Sequence, residues 1–414
     1  MAVIDKISTA GAERVIARCR ELALCTETPG ETTRMFLCDA MAQCHARVSA
    51  WMTAAGMSVS VDHAGNLRGL YEGVEKNAPR LLIASHLDTV PNAGAFDGIL
   101  GVLMGVAMVE ELAGKRLPFA IEVIGFSEEE GTRFGAPFLG SRALLGSLDD
   151  ALLARTDAQG VSVAEAIKKF GLDTAKLQGA KLTAAPLGYL EIHIEQGPVL
   201  ESEELALGVV EAIAGQSRME FVFSGEANHA GTTPMHLRKD ALMAAAEWMV
   251  TMEEYALGVE GLVATTGRVT AAPNAVNVIA GEARVTLDVR HAKDAVRETA
   301  VGKAIALAGG VAMGRNVRVT SRTMSEQAAV PMDGRLTETL VAAVKAAGFS
   351  LRKMVSGAGH DAMMIAPHMP ATMLFVRSPG GLSHHPEESV VPVDVEKALM
   401  VGMKFMEELA NQSA

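Results

Sequence analysis

The chain has 414 residues, 49% of them hydrophobic and 21% charged, a composition typical of a folded globular protein. At about 150 residues per domain, this length predicts two or three domains. A formal net charge of −12 and an aromatic content of 4% argue against binding to nucleic acid or to an anionic membrane surface.

The amino-terminal half of the chain alternates helices with strands. Hydrophobic periodicity assigns helices to residues 11–24, 38–55 and 101–112, and strands to 58–61, 67–71, 81–85, 119–126 and 190–195. The first two strands predict a hairpin. The strand–loop–helix–strand order that follows predicts parallel pairing in a sheet with helices on its faces. Such sheets bind ligands at the carboxyl ends of their strands, which here are followed by acidic residues and histidine.

The pattern changes at Ala214. Strands at residues 219–225, 262–269, 275–279 and 282–289, with helices near 238–255 and 293–309, predict an inserted α+β region. About a hundred residues can fold as a domain of their own. After about residue 330 the strand–helix pattern resumes, with a strand at 373–376.

The end of the strand at 81–85 carries residues that bind divalent metals. His86 and Asp88 follow this strand, and Asp97 lies beside glycines nine residues later. Histidine and carboxylate side chains are ligands for Zn, Mn, Co and Ni, and a carboxylate two residues from a ligand histidine often orients it. Alternatively, the two aspartates cap a turn and a helix.

The next strand end carries three consecutive glutamates, Glu128, Glu129 and Glu130. Neighbouring carboxylates oppose each other's ionisation, so this run is costly near a buried strand unless a cation neutralises it. One glutamate could bind a metal while its neighbour acts as a general base. The alternative is a solvated acidic loop.

Other histidines occur singly or as a pair. His193 shares a strand face with Glu191 and Glu195, although a lone histidine on a strand is commonly structural. His384 and His385 are adjacent in a Gly/Pro-rich loop, a setting that suits a functional site.

The insert offers groups that could contact a substrate. His229 lies in a Gly/Thr-rich loop, and Asn277 and Arg290 lie on predicted strands. Arg290 could pair with a substrate carboxylate or form a surface ion pair. Together with the preceding motifs, these residues supply two metal sites, a free base and an anion-binding group, which is a hydrolytic arrangement. The sequence has no Walker loop, dinucleotide-binding fingerprint or G-x-S-x-G motif.

These motifs resemble those of the hydantoinase/carbamoylase family of amidohydrolases, within the aminoacylase and glutamate-carboxypeptidase group of dinuclear metallohydrolases. The matching motifs occur in the family's order between about residues 60 and 390. It is carried by SHLDTVPNAGAFDGILGVL, EEEGTRFGAPFLGSRAL, HIEQGPVLE, NHAGTTPM, RKDAL, PNAVNVI, DVR, GAGHDA and GGLSHHPEES. The peptidase branch of the group would be expected to have a carboxylate in place of His193.

The resemblance implies a site with two divalent metal ions per subunit, of Zn, Mn, Co or Ni. His86, Asp97 and His193 would hold one ion. Asp97 would bridge to the second ion, which Glu130 and His384 would hold. His385 stands where an asparagine is common in the family, so the choice between His384 and His385 stays open.

The resemblance also implies catalytic and substrate-binding roles. Glu129 would be the general base, and Asp88 would orient His86. His229 would reach the neighbouring subunit's site and polarise the carbamoyl oxygen. The residues expected to bind substrate are Gln196, Asn277 and Arg290, with Arg290 on the carboxylate.

The implied reaction is hydrolysis of the ureido C–N bond of an N-carbamoyl-L-amino acid or of allantoate. Glu129 would activate a metal-bridging water, and ammonia and carbon dioxide would be released. One alternative is an N-acyl-amino acid hydrolase or dipeptidase on the same scaffold. A more remote alternative is a non-catalytic binding protein of this fold.

The expected architecture is α/β. Residues 1–212 and 330–414 would form a dinuclear metal catalytic domain with a mixed, mostly parallel sheet, and residues 213–329 a lid and dimerisation domain of a homodimer. The amino terminus carries Asp5 and has no apolar signal core, so a cytoplasmic protein is expected. The longest apolar run, Gly98–Val109, is too short to span a bilayer. The four cysteines are expected to be reduced thiols on amino-terminal helices: Cys19, Cys25, Cys38 and Cys44.

Overall fold

The computed structural model describes residues 9–412. The chain divides into two compact units: the first unit is Met1–Glu211 with Met332–Ala414, and the second unit is Ala212–Pro331. The expectation drawn from Asp5 lies outside the described residues. Within residues 9–412, none of the helices combines the length and apolarity that crossing a bilayer requires.

Helices and strands follow one another throughout the described chain. The helices are α1 (Thr9–Ala23), α2 (Asp39–Ala54), α3 (Ile99–Glu111), α4 (Leu139–Leu145), α5 (Asp150–Leu153), α6 (Val163–Lys169), α7 (Val199–Ser202), α8 (Ala241–Leu257), α9 (Asp294–Gly314), α10 (Gly334–Ala346), α11 (Asp361–Ile365) and α12 (Pro392–Gln412). The strands are β1 (Ser58–Val61), β2 (Leu67–Tyr71), β3 (Arg80–His86), β4 (Ala120–Phe126), β5 (Pro186–Ile194), β6 (Leu207–Ile213), β7 (Gly215–Ser224), β8 (Asn228–His229), β9 (Val263–Thr265), β10 (Val269–Ala272), β11 (Val278–Ile279), β12 (Glu282–His291), β13 (Arg318–Gln327), β14 (Val330–Pro331), β15 (Arg352–Ser356) and β16 (Ala371–Val376).

The first unit contains a mixed sheet in the order β1-β2-β4-β3-β5-β16-β6, and β15 also pairs with β6. β1 and β2 form the predicted antiparallel hairpin. The central strands β4, β3, β5 and β16 are parallel to one another. The predicted α/β class, with a largely parallel central sheet, is therefore confirmed. Parallel pairing also brings the carboxyl ends of β3, β4 and β5 to one edge, as expected for a ligand site.

Helix α3 packs against β5 next to that edge of the sheet. Every residue from Ile99 to Val109 is buried, so the helix is apolar on all sides and packs within the core. A Cβ atom at Gly101 would collide with the main-chain oxygen of Ile192 on β5. The glycine thus permits close contact between helix and strand. Asp97, two residues before α3, is consequently held near the end of β5.

The second unit has an antiparallel sheet in the order β10-β12-β7-β13, with β9 also on β12. Trp248 of α8 fills its core, with its ring 4.4 Å from that of Phe221 and 5.9 Å from that of Phe223. Nonpolar residues alternate along β7 and β12, so the other face of the sheet carries the polar side chains.

Two predictions for strands in the second unit are wrong. Residues 262–269 do not form one strand, because the chain breaks around Gly267 into β9 and β10, which lie in succession along the same edge of β12. Residues 275–279 are extended only at Val278–Ile279. Asn274 has φ of 60°, and Ala275 accepts a turn hydrogen bond from the N–H of Val278, so this segment begins as a turn.

The four cysteines are free thiols. Cys19, Cys25 and Cys44 are buried, and Cys38, which precedes α2, is partly buried. Burial raises the pKa of Cys38 to about 12, and the other three values are also raised. These cysteines therefore lack the thiolate character of a reactive site.

Candidate dinuclear metal centre

Asp97 lies at the centre of a buried cluster of predicted metal ligands. Its Oδ1 is 3.2 Å from Nε2 of His193 and 3.8 Å from Nε2 of His86. Its Oδ2 is 3.2 Å from Nε2 of His384, which lies 3.4 Å from Oε1 of Glu130. The two oxygens of Asp97 therefore face two different groups of ligands.

Both groups have the composition of a metal site. Donor atoms of His86, Asp97 and His193 lie within 4.8 Å of one another, and so do those of Asp97, Glu130 and His384. Asp97 is common to the two groups, as expected for a bridging carboxylate. The adjacent histidines are thereby distinguished, since His384 belongs to a group, whereas Nδ1 of His385 accepts the N–H of Glu387 at 3.2 Å.

The orientation of the donor atoms fits cations better than direct hydrogen bonds. Oδ1 of Asp97 and Nε2 of His193 are buried, yet neither has a hydrogen-bond partner among residues 9–412 despite their proximity. Nδ1 of His193 faces the main-chain oxygen of Ile194 at 2.9 Å, and Nδ1 of His86 faces that of Asp88 at 3.0 Å. Both Nε2 atoms are thus directed towards Asp97. Imidazole and carboxylate donors held this way suit Zn, Mn, Co or Ni.

Burial and neighbouring charges shift the pKa values of the groups in the cluster. Burial lowers the pKa of His193 to about 4, which favours the neutral imidazole that binds metal. Hydrogen bonds to Asp97 and Glu130 raise the pKa of His384 to about 10. Burial opposes ionisation of Asp97, but the hydrogen bond from His384 and the charges of the histidines hold its pKa below the usual range. A cation would take the place of the proton between His384 and the two carboxylates.

Glu129 is placed beside the cluster by Asp88. Donor atoms of His86, Glu129 and Glu130 lie within 4.8 Å of one another. Burial raises the pKa of Glu129 well above its usual range; the charge of His86 opposes the shift and that of Glu130 adds to it. The fully buried carboxylate of Asp88 accepts the N–H of Glu129 at 2.9 Å and of Glu130 at 3.1 Å. Asp88 Oδ1 lies 3.5 Å from Nδ1 of His86, so Asp88 positions both strand ends.

Gln196 lies closer to the candidate metal ligands than its predicted substrate role requires. Its Nε2 donates to Oδ2 of Asp97 at 3.1 Å and to Oγ of Ser383 at 3.0 Å. Ser383 donates to the same oxygen of Asp97 at 3.1 Å. The sequence analysis missed Ser383, although it precedes His384 directly in a motif that carried the family resemblance.

Comparisons with known proteins agree with this geometry. Residues 82–412 match the peptidase family M20/M25/M40. The chain belongs to this family. It is 41% identical over 381 residues to an N-carbamoyl-L-amino acid amidohydrolase of Geobacillus stearothermophilus, covering 91% of this chain and 93% of that protein. It is 37% identical over 438 residues to a probable allantoate deiminase of Oryza sativa subsp. japonica, covering 97% of this chain and 89% of that protein.

A solved structure places the chain within a branch of the family. The crystal structure of a hydantoinase/carbamoylase family amidase from Burkholderia multivorans is 31% identical and has a TM-score of 0.91, covering 96% of this chain and 98% of that one. The predicted membership in the hydantoinase/carbamoylase amidohydrolases is therefore confirmed. The chain is an enzyme, and its hydrolytic class is that of an amidohydrolase.

Several buried polar side chains of this amidohydrolase lie next to His193, and the sequence analysis gave them no role in the site. Glu191 accepts the hydroxyl of Tyr189 at 3.0 Å. The ring of His360 lies 4.5 Å from that of His193, and its Nε2 is 2.8 Å from Oγ of Ser356. Glu191, His193 and His360 also bring donor atoms within 4.8 Å of one another. The two ring nitrogens of His193 already face Ile194 and Asp97, so this group supports the ligand rather than forming a separate metal site.

The second unit contains the remaining predicted residues. His229 on β8 pairs with Val278 on β11, next to Asn277, and both His229 and Asn277 are exposed. Nδ1 of His229 accepts the N–H groups of Gly231 and Thr232 at 3.1 and 3.2 Å. On β12, Nε and Nη2 of Arg290 donate to the two carboxylate oxygens of Asp288 at 2.9 and 3.0 Å. The fork of Arg290 is therefore oriented by this ion pair.

Proposed function

We propose that this amidohydrolase hydrolyses the ureido C–N bond of an N-carbamoyl-L-amino acid or of allantoate, releasing ammonia and carbon dioxide. The proposal is carried by the convergence of two ligand groups on Asp97, with Glu129 beside them. The names of the similar proteins support a non-peptide C–N bond next to a carboxylate as the target. Of the two substrates, we favour the N-carbamoyl-L-amino acid.

In this proposal, two divalent cations are held by residues of the first unit. One would lie among His86, Asp97 and His193, and the other among Asp97, Glu130 and His384. Such cations supply Lewis acidity, which polarises the ureido carbonyl and lowers the pKa of a water molecule.

Glu129 would move the proton in this reaction. It would accept a proton from the attacking water and pass it to the leaving nitrogen, and the carbamic acid product would decompose to ammonia or an amine and carbon dioxide. Burial raises the pKa of Glu129, which makes its carboxylate a stronger proton acceptor than an exposed one.

Residues of the second unit, with Gln196, would bind the substrate. Arg290 would pair with the substrate carboxylate, and Asn277 and Gln196 would bind other polar groups. Because Nδ1 of His229 accepts hydrogen bonds, a neutral ring carries its proton on Nε2, which can donate to the ureido oxygen. We also propose that the second unit acts as lid and dimerisation domain of a homodimer. Free cysteines are typical of the cytoplasm, the compartment we propose.

The test is ammonia release by protein reconstituted with Mn²⁺ or Zn²⁺, with N-carbamoyl-L-amino acids and allantoate assayed in parallel. We expect release that a chelator abolishes, and the faster substrate identifies the activity. Release that persists after complete metal removal would overturn the metal dependence. Absence of release, together with cleavage of N-acetyl amino acids or dipeptides, would replace the proposal by the N-acyl-amino acid hydrolase or dipeptidase alternative.

A further inference from the structure

Glu388 joins the loop of His384 to the segment of Asp97. Its side chain is 5% exposed, and its Oε1 accepts the main-chain N–H of Phe96 at 2.9 Å and of Asp97 at 3.0 Å. Gly94 packs against it so closely that a Cβ atom there would collide with the Cβ of Glu388. The carboxylate therefore reaches across 291 positions of sequence to bind the main chain of the shared ligand.

Each of the joined segments contains a residue with positive φ. Gly98, at the start of α3, has φ of 71° and provides no side-chain cap, and the N–H groups of Phe96 and Asp97 just before it find their acceptor in the distant Glu388. A negative charge is also favourable near a helix amino terminus. On the other side, His384 has φ of 54°, an uncommon conformation for a residue other than glycine. The turn from His385 to Glu388, closed by a 3.0 Å hydrogen bond, ties His384 to Glu388.

We propose that Glu388 is a positioning residue of the metal centre. By holding the main chain of Asp97 from the loop that carries His384, it sets the distance between the shared carboxylate and this histidine. This inference rests on the proposed metal-dependent function. Glu388 binds the main chain of Asp97 rather than its carboxylate, so its effect should appear in metal binding before it appears in substrate binding.

The test compares Glu388→Gln with Glu388→Met. Glutamine retains an oxygen that can accept both N–H groups, whereas methionine has a similar length and no such acceptor. We expect Glu388→Met to weaken the affinity for Zn²⁺ or Mn²⁺ by about 10–100-fold, measured by competition with a chromophoric chelator. At saturating metal, kcat should fall more than KM rises. Glu388→Gln should stay within about threefold of the native affinity, because its amide oxygen can still accept both N–H groups. The small loss that remains comes from replacing a charged acceptor by a neutral one.

A matched control separates positioning from general stability. Oδ1 of Asp333 accepts the N–H of Leu336 at 2.8 Å at the start of α10, in the same unit. Asp333→Ala should lower the unfolding midpoint and leave the metal affinity unchanged. If Glu388→Met behaves like this control, the inference is wrong. If Glu388→Gln loses as much affinity as Glu388→Met, the hydrogen-bond account is wrong.

A further variant covers the case in which Glu388→Met does not fold. Glu388→Asp keeps the carboxylate but is shorter by one methylene, so it should weaken metal affinity by more than Glu388→Gln does. Native affinity in Glu388→Asp would overturn the inference. Failure of the proposed function is distinct, because the native protein itself would then neither bind Zn²⁺ or Mn²⁺ nor hydrolyse ureido substrates.

Discussion

Replacing Arg34 by methionine tests how much the amino-terminal segment stabilises the first unit. The side chain of Arg34 is fully buried. Its Nε donates to the main-chain oxygen of Leu87 at 2.7 Å, and its Nη1 donates to those of Leu22 and Cys25, both at 2.8 Å. Leu87 lies between His86 and Asp88, so this guanidinium braces the end of β3 against the end of α1.

The expected loss of stability follows from the acceptors that methionine leaves without a donor. The oxygen of Leu22 also accepts the N–H of Cys25 at 2.9 Å and keeps that partner. The loss therefore falls mainly on the oxygens of Cys25 and Leu87, at about 1–3 kcal/mol for each buried group. Removing a buried cation offsets part of this loss, because Nη2 of Arg34 has no hydrogen-bond partner among residues 9–412. We expect a net decrease in the free energy of unfolding of about 2–4 kcal/mol.

The assay is urea unfolding with a chelator present, so that metal binding does not contribute to the measured stability. Arg47→Met is the matched control. Arg47 also contacts Cys25, at Sγ, and its side chain is 39% exposed with an ion pair to Glu21, so the control should lose less than about 1 kcal/mol. A decrease for Arg34→Met that is no larger than the control would refute the reasoning.

Three further predictions concern single side chains. Glu129→Gln should lower kcat by about 10²–10⁴-fold with unchanged metal content, and near-native turnover would exclude Glu129 as the base. His384→Ala should reduce metal content, measured by elemental analysis, whereas His385→Ala should not; the opposite result would reassign the ligand. Burial lowers the pKa of His45 to about 4. Below about pH 6.5 this histidine is protonated in the unfolded chain, whereas in the folded chain it stays neutral down to about pH 4. Stability should therefore fall as the pH drops through this window. From pH 7 to pH 5, the drop in unfolding free energy should be about 2 kcal/mol larger for the native protein than for His45→Leu, and equal drops would contradict the buried neutral histidine.

The sequence predicted the parts of the site that depend on local pattern. His86 ends one buried strand and Glu129 follows another, and parallel pairing of those strands requires their carboxyl ends to lie at one edge of the sheet. His193 lies near the end of β5, the next strand in the sheet. Strand periodicity therefore placed His86 and Glu129 at one edge, whereas His193 was assigned to the site only by the family resemblance.

Contacts between loops that are far apart in the sequence could not be predicted from periodicity. Ser383, Gln196 and Glu388 all bind Asp97, yet each belongs to a loop whose path depends on packing rather than on periodicity. His360 was visible within a glycine-rich motif, but only its contact with His193 indicates a supporting role. Family resemblance implied the candidate ligands, and the structure adds the residues that hold them in place.

The positions of the candidate ligands also determine which unit of the enzyme would be stabilised by metal ions. All five candidate ligands belong to the first unit, and they come from five separate segments: the end of β3, the turn before α3, the loop after β4, strand β5 and the loop of His384. An ion that binds only when these segments are folded together stabilises that folded state in proportion to the logarithm of its free concentration. The buried carboxylates around Asp97 repel one another without a cation, so they weaken the same state when metal is removed. Chelation should therefore loosen the first unit in particular, since the second unit carries none of these ligands.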